Sequence, residues 1–257
     1  MRFGPRVRRP AITTTAEGER FRTAWTGAER AVLRRLSTPE RLQAWLDELP
    51  YRAEESTACP RTVLRERLAN CWDGALFAAA ALREVGYPPL LLDLRAVRDD
   101  DHVLALFRTG GGWGAVAKSN FVGLRFREPV YRSMRELAMS YFEDYFNADG
   151  EKTLRSYHGP FDLRRYDHLR WTFEDAHIAF ISDQLDARRH IALVTPGMVG
   201  RLGRVDPRSM KAGMVGTDPA GLYGEAERRY ARVPPSRNMH AARAGSRASR
   251  GNRKIGC

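Results

Sequence analysis

Cys71-Trp72-Asp73-Gly74-Ala75-Leu76-Phe77-Ala78-Ala79-Ala80-Ala81-Leu82-Arg83-Glu84-Val85-Gly86 is the stretch that decides the reading of this 257-residue chain. From Leu76 to Val85 it is rich in strong helix formers and free of Gly and Pro. Gly86 then supplies a C-terminal stop, and Pro88-Pro89 forbid continuation. A helix of about fourteen residues spans roughly 21 Å, enough to cross a small core. Its four consecutive alanines carry little bulk, so neighbouring elements can approach closely, and the pattern predicts a buried helix. Cys71 falls at the mouth of that helix. Backbone N–H groups and the positive end of the helix dipole then favour thiolate over thiol, and a nearby imidazolium adds to the effect.

Working outward, Leu90-Leu91-Leu92-Asp93-Leu94-Arg95-Ala96-Val97 is an apolar run turning into alternation, which predicts a strand. Arg98 to Asp101 make a polar turn, and His102-Val103-Leu104-Ala105-Leu106-Phe107 predicts a second strand. Gly110-Gly111-Gly112 turn the chain into a third, Trp113-Gly114-Ala115-Val116-Ala117. Connections this short make an antiparallel meander packed on the cysteine helix the economical topology. The expected class is therefore α+β, an antiparallel sheet against a central helix with Cys71 at its N-terminus.

A helix opening on Cys71, a strand opening on His102 and a strand led by Trp113 resemble, in that order, the transglutaminase-like superfamily of papain-like cysteine folds. The likeness covers about residues 60–147. Trp113 to Phe121 and Arg125 to Tyr131 resemble an uncharacterised bacterial branch of that superfamily. The resemblance implies a thiol-dependent acyl-transfer enzyme acting on an amide or peptide bond, with Cys71 as nucleophile and His102 as base. Members usually carry an Asp four residues beyond the Trp, where this chain has Ala117. The nearest polar residues are Ser119 and Asn120, and Asn120 is the candidate for orienting the imidazole, as the Asn of a Cys-His-Asn enzyme does. A bend after Ala117 would have to bring it back. Trp72, Trp113, Ser119 and Arg125 are the substrate-binding candidates. Water as second acceptor makes a peptidase or amidase, an amine makes a transglutaminase, and the letters do not choose.

Each candidate also has a plainer reading. A cysteine in an apolar helix is, taken alone, an inert small hydrophobe. His102 can cap the aspartate turn, and the two tryptophans can be packing residues. Asp73 suits a helix start, yet a carboxylate beside a thiol raises its pKa. His158, His168, His177 and His190 qualify only by residue type. Arg125, Arg127 and Arg132 either grip a substrate carboxylate or phosphate or pair with Glu128 and Glu136.

Composition bounds the function. The hydrophobic fraction is 43%, adequate for a sizeable core, and no run of eighteen apolar residues predicts a membrane span. No apolar stretch follows the Arg-rich start, so no secretory leader is expected and the expected location is cytoplasmic. The three cysteines have no metal-ligand spacing, and no metal or cofactor is called for. Reduced thiols are the expectation, with a Cys59–Cys71 disulfide the alternative. Net charge is +12, but residues 1–10 hold four Arg and residues 233–257 six Arg and Lys, with no acid in either, leaving only +2 for the body. Basic ends can touch polyanions in a salt-dependent way. Besides the amide or peptide substrate, the partners considered are thus weak polyanion contact through the tails, and no membrane. Two other functions stand beside the enzyme: a catalytically degenerate peptide- or partner-binding module, and a basic nucleic-acid-associated protein.

The remaining organisation reads as a basic arm over 1–15, a core over 16–147, an extension packed on it over 148–232, and a disordered basic tail over 233–257. Within the core, residues 17–36 have helical spacing, and Ser37 with Glu40 stand at capping-box distance before a helix through Leu42, Trp45, Leu46 and Leu49. Further helices are predicted over 61–69 and 133–146. Residues 191–194 are strand-like, and 203–224, rich in Gly, Asp and Pro, read as loop or partly ordered wrapping.

Overall fold

The computed structural model describes residues 25–54 and 56–224. The basic arm, the first part of the 17–36 helix and the basic tail lie outside the described residues. Helices α1 (Gly27–Arg35), α2 (Pro39–Asp47) and α3 (Pro60–Glu66) lead into α4 (Cys71–Glu84). The sheet is antiparallel throughout and six-stranded among the described residues, in the order β4-β3-β2-β1-β5-β6. Its strands are β1 (Leu90–Ala96), β2 (His102–Thr109), β3 (Gly112–Val116), β4 (Arg127–Tyr131), β5 (Leu154–Asp162) and β6 (Ile191–Ala192). The molecule is α+β, with the Cys71 helix against the sheet and the N-terminal helices beside it.

Caps define the helices. Thr26 and Glu29 form a capping box on α1, and Asn70 Oδ1 accepts the Asp73 N–H at 2.9 Å to start α4. On α2 the capping oxygen is that of Thr38, 3.3 Å from the Arg41 N–H, in place of the Ser37–Glu40 box. Pro39 then occupies the first turn, where its missing N–H costs nothing. Helix α3 stops at Glu66 because Arg67 turns left-handed, φ 53°, so it is shorter than the expected 61–69.

Every residue of α4 from Trp72 to Leu82 is buried. Gly74 explains how near the sheet comes: a Cβ there would stand 2.3 Å from Lys118 Cβ. Leu91, Val103, Ala105, Phe107 and Val116 face the helices in a first core. Leu92, Leu94, Leu104, Leu106, Ala115 and Ala117 face the other way, onto Leu137, Tyr141, Phe142 and Tyr145. Strand β2 is therefore buried on both sides, which is why it reads as an unbroken apolar run.

Differences from the expected layout cluster after Ala117. The 133–146 helix is only α5 (Met134–Met139), followed by tight turns. Strand β4 forms at the Arg cluster, and β5 runs through Gly159-Pro160. Residues 154–162 pair with β1 over most of its length, so the segment read as an extension contributes two strands to the sheet. Gln43 holds the end of β3: its Nε2 donates to the Ala117 carbonyl at 2.9 Å and its Oε1 accepts the Ala117 N–H at 3.0 Å. Both backbone groups belong to a fully buried residue. Gln43→Ala is expected to cost about 2–4 kcal/mol in chemical denaturation at unchanged m-value.

Candidate functional site

The mouth of α4, the β1–β2 turn and the chain after β3 converge on one small pocket at the end of the sheet. Of the candidate residues, Cys71, His102, Ser119 and Asn120 line it; Asp99, Asp100 and Asp101 form its acidic wall, and Tyr51, Phe121, Leu124, Tyr145, Phe146 and Gly221 complete it. The wall is anchored through its own backbone and carboxyls. Tyr145 donates to the Asp100 carbonyl at 2.6 Å, Thr153 to Asp99 Oδ2 at 2.6 Å, and the Ala96 N–H to Asp101 Oδ1 at 2.8 Å.

Cys71 and His102 reach the pocket from opposite faces of the sheet. His102 alternates with Leu104 and Leu106 and so leaves β2 on the second-core side, whereas α4 lies on the first. The thiol turns to the Asp101 carbonyl, 3.8 Å away. The imidazole Nε2 meets the Leu124 carbonyl at 2.7 Å. Among the described residues the two groups make no hydrogen bond with each other.

Their charge states follow from burial. Loss of water at this half-buried residue, with the nearby Asp100 and Asp73 carboxyls, pushes the Cys71 thiol up to about 12. The expected thiolate is not favoured: backbone donors at Trp72 and Val103 pull the other way and are outweighed. His102 is 4% exposed. Burial pulls its pKa down to about 4; the Leu124 carbonyl opposes this and the Arg127 cation reinforces it. At neutral pH the site holds a thiol and an uncharged imidazole. A carbonyl can only accept, so Nε2 carries the hydrogen and Nδ1 keeps its lone pair.

The orienting group is therefore a backbone carbonyl. Ala117 lies on the same face as His102 with no acid to offer. Asn120 directs its amide elsewhere: Nδ2 donates to the Asp218 carbonyl at 2.9 Å and Oδ1 accepts the Asp218 N–H at 2.8 Å. It thereby ties the 217–221 segment beside the pocket, with help from Thr217 Oγ1 on its carbonyl at 3.1 Å. Ser119 Oγ accepts the Phe121 N–H at 3.0 Å and shapes the turn.

The other substrate-binding candidates stand outside the pocket lining. Trp72 is 8% exposed within the first core. Trp113 sits on β3 under the Arg108 guanidinium, 5.2 Å from its ring centre. Arg125 pairs with Asp47 at 3.0 Å, and Arg127 with Asp144 at 3.2 Å. Asp73 anchors the chain before α3, accepting the Ala58 N–H at 2.8 Å and pairing with Arg52 at 3.2 Å. Asp93 meets His190 at 2.7 Å and not His102. Cys59 and Cys71 are both free.

Leu124 and Tyr51 escaped the sequence reading, since a backbone carbonyl leaves no mark in residue type and Tyr51 lies twenty positions before Cys71. Among the described residues, no helix is long and apolar enough to cross a membrane, and no group of three or more His, Cys, Asp and Glu side chains is arranged to hold a metal ion. Neither the protein-family models nor the curated proteins contain a match to this chain.

Asn120→Ala removes both ties to Asp218. It is expected to speed proteolytic cleavage within 217–221 while leaving the His102 titration in place. A shift in that titration, followed by NMR, would instead place the amide in the service of the ring.

Proposed function

We propose that this pocket is the acyl-transfer site of a thiol-dependent enzyme of the transglutaminase-like kind, acting on an amide or peptide bond. The observation that carries the reading is the His102 ring. One nitrogen is pinned as a donor to Leu124, so the other keeps its lone pair, and His102 and Cys71 line the same pocket.

In this mechanism the Cys71 sulfur bonds to the substrate carbonyl carbon as its proton passes to His102 Nδ1. The imidazolium then gives that proton to the departing amine as the C–N bond breaks, leaving an acyl-thioester on Cys71. Water releases an acid, or an amine releases a new amide, with His102 taking the proton of the incoming nucleophile. The Leu124 carbonyl holds the ring's tautomer throughout, the part an Asn or Asp side chain takes in other Cys-His enzymes.

A second reading, a peptide-binding module without turnover, is favoured by one observation. The thiol is held as a thiol, bonded to Asp101 and not to the ring. Nucleic-acid association through the basic ends concerns residues outside those described.

Alkylation of Cys71 by a small electrophile separates the first two. General-base assistance by a ring that titrates near 4 gives a rate nearly flat from about pH 5 to pH 9, and His102→Ala lowers it about 100-fold or more. Unassisted ionisation of a thiol at about 12 gives a rate rising about tenfold per pH unit over that range, indifferent to His102→Ala. The flat profile is expected. Cys71→Ser should abolish turnover of acyl substrates, and full turnover in that variant would exclude the covalent route.

A further inference from the structure

Three successive carbonyls around the His102 contact each receive a side-chain donor. The Gly123 carbonyl accepts from Arg127 Nη2 at 2.8 Å, that of Leu124 from His102 Nε2 at 2.7 Å, and that of Arg125 from the Tyr141 hydroxyl at 2.8 Å. The first two lie on a single 3₁₀ turn, Val122–Leu124, and the third is on the residue that ends it, Arg125, at φ −98°, ψ −132°. So short a turn has few bonds of its own; the Leu124 N–H reaches Phe121 O at 3.3 Å. The direction of a peptide carbonyl in such a turn is set by its neighbours on either side, and here both neighbours are held.

We propose that Tyr141 and Arg127 are positioning residues for the His102 base: by gripping the carbonyls of Gly123 and Arg125 they aim the carbonyl between them at Nε2. The inference rests on the acyl-transfer reading only for its chemical consequence. Tyr141 is fully buried, and burial keeps its phenol protonated, so the hydroxyl stays a donor. The Arg127 guanidinium lies 3.9 Å over the Tyr141 ring and also donates to the Ser140 carbonyl at 3.1 Å and to Asp144 at 3.2 Å. The clamp is thus one packed unit tied to the chain after α5. Gly123 is pressed against the same segment: a Cβ there would stand 2.4 Å from Asp144 Cβ. Arg127 has a second effect, since its cation disfavours the imidazolium. It therefore fixes the ring's tautomer through the turn and its protonation through space.

The test is NMR of the full chain labelled with ¹⁵N-histidine. The wild type should show a protected His102 Nε2–H. Tyr141→Phe, which removes one hydroxyl from an otherwise preserved ring, is expected to speed exchange of that hydrogen about tenfold or more while the α4 amides keep their protection. Arg127→Gln, which removes the grip on the Gly123 carbonyl, should likewise speed exchange of that hydrogen. Exchange unchanged in Tyr141→Phe, or accelerated equally at the ring and in α4, would overturn the positioning role, and unchanged exchange in Arg127→Gln would remove Arg127 from it. Neither readout involves the thiol. Cys71 alkylation indifferent to His102→Ala would therefore defeat the acyl-transfer reading and leave this result standing.

Discussion

The close approach of α4 to the sheet is the constraint on which the rest depends. An alanine run and Gly74 remove the side chains that would hold helix and strands apart, and Lys118 passes where a Cβ on residue 74 would stand. Lys118 is itself buried, 4% exposed, and directs its ammonium to the carbonyls of Leu46 and Leu49 at the end of α2. A buried charge is tolerated there because helix-terminal carbonyls receive it. With Gln43 gripping Ala117, the last residues of the β3 chain are fixed to α2 from two sides. Everything downstream, including the Ser119–Leu124 path that builds the pocket, starts from that fixed point.

Burial then sets the chemistry. A helix N-terminus contributes roughly 0.3–1 kcal/mol toward a negative charge, which is too little to offset the removal of water from a thiolate with Asp73 and Asp100 nearby. The same loss of water keeps His102 uncharged. Two groups that in water would differ modestly are driven apart in opposite directions, one held protonated and the other held neutral. In the acyl transfer proposed for this site, the proton moves during bond formation, not before it. A pocket enclosing a pre-formed ion pair and a pocket enclosing this neutral pair differ in charge, though both are built from Cys and His.

The orienting carbonyl is the second consequence. A carboxylate beside the ring would attract positive charge and raise the imidazole pKa, as well as choosing its tautomer. The Leu124 carbonyl chooses the tautomer and supplies only a dipole. With Ala117 offering no acid and Arg127 nearby, the ring has a fixed orientation and little support for its charged form. The tie from Asn120 to Asp218 matters in another way: it makes the 217–221 segment, ninety-eight positions along the chain, a wall of the same pocket.

Residue patterns by themselves determined the centre of this protein. The alanine-rich helix with its Gly86 stop, the three strands of the meander and the placement of Cys71 and His102 at the entrances of their elements all rest on short-range rules of propensity, capping and alternation. Those rules act within a few residues and so are legible in one chain of letters. Strands β4 and β5 were not legible, because an Arg-rich segment and a Gly-Pro pair become strands only when a neighbouring edge is already there to pair with. At the site, Ser119 and Asn120 were placed at the pocket by position alone, while the amide of Asn120 went to Asp218 and the ring of His102 went to Leu124. Those choices belong to the tertiary structure, since a hydrogen bond is decided by which donor and acceptor the fold brings within 3 Å. A backbone carbonyl, common to every residue type, gives no sign in the sequence that it will be the one.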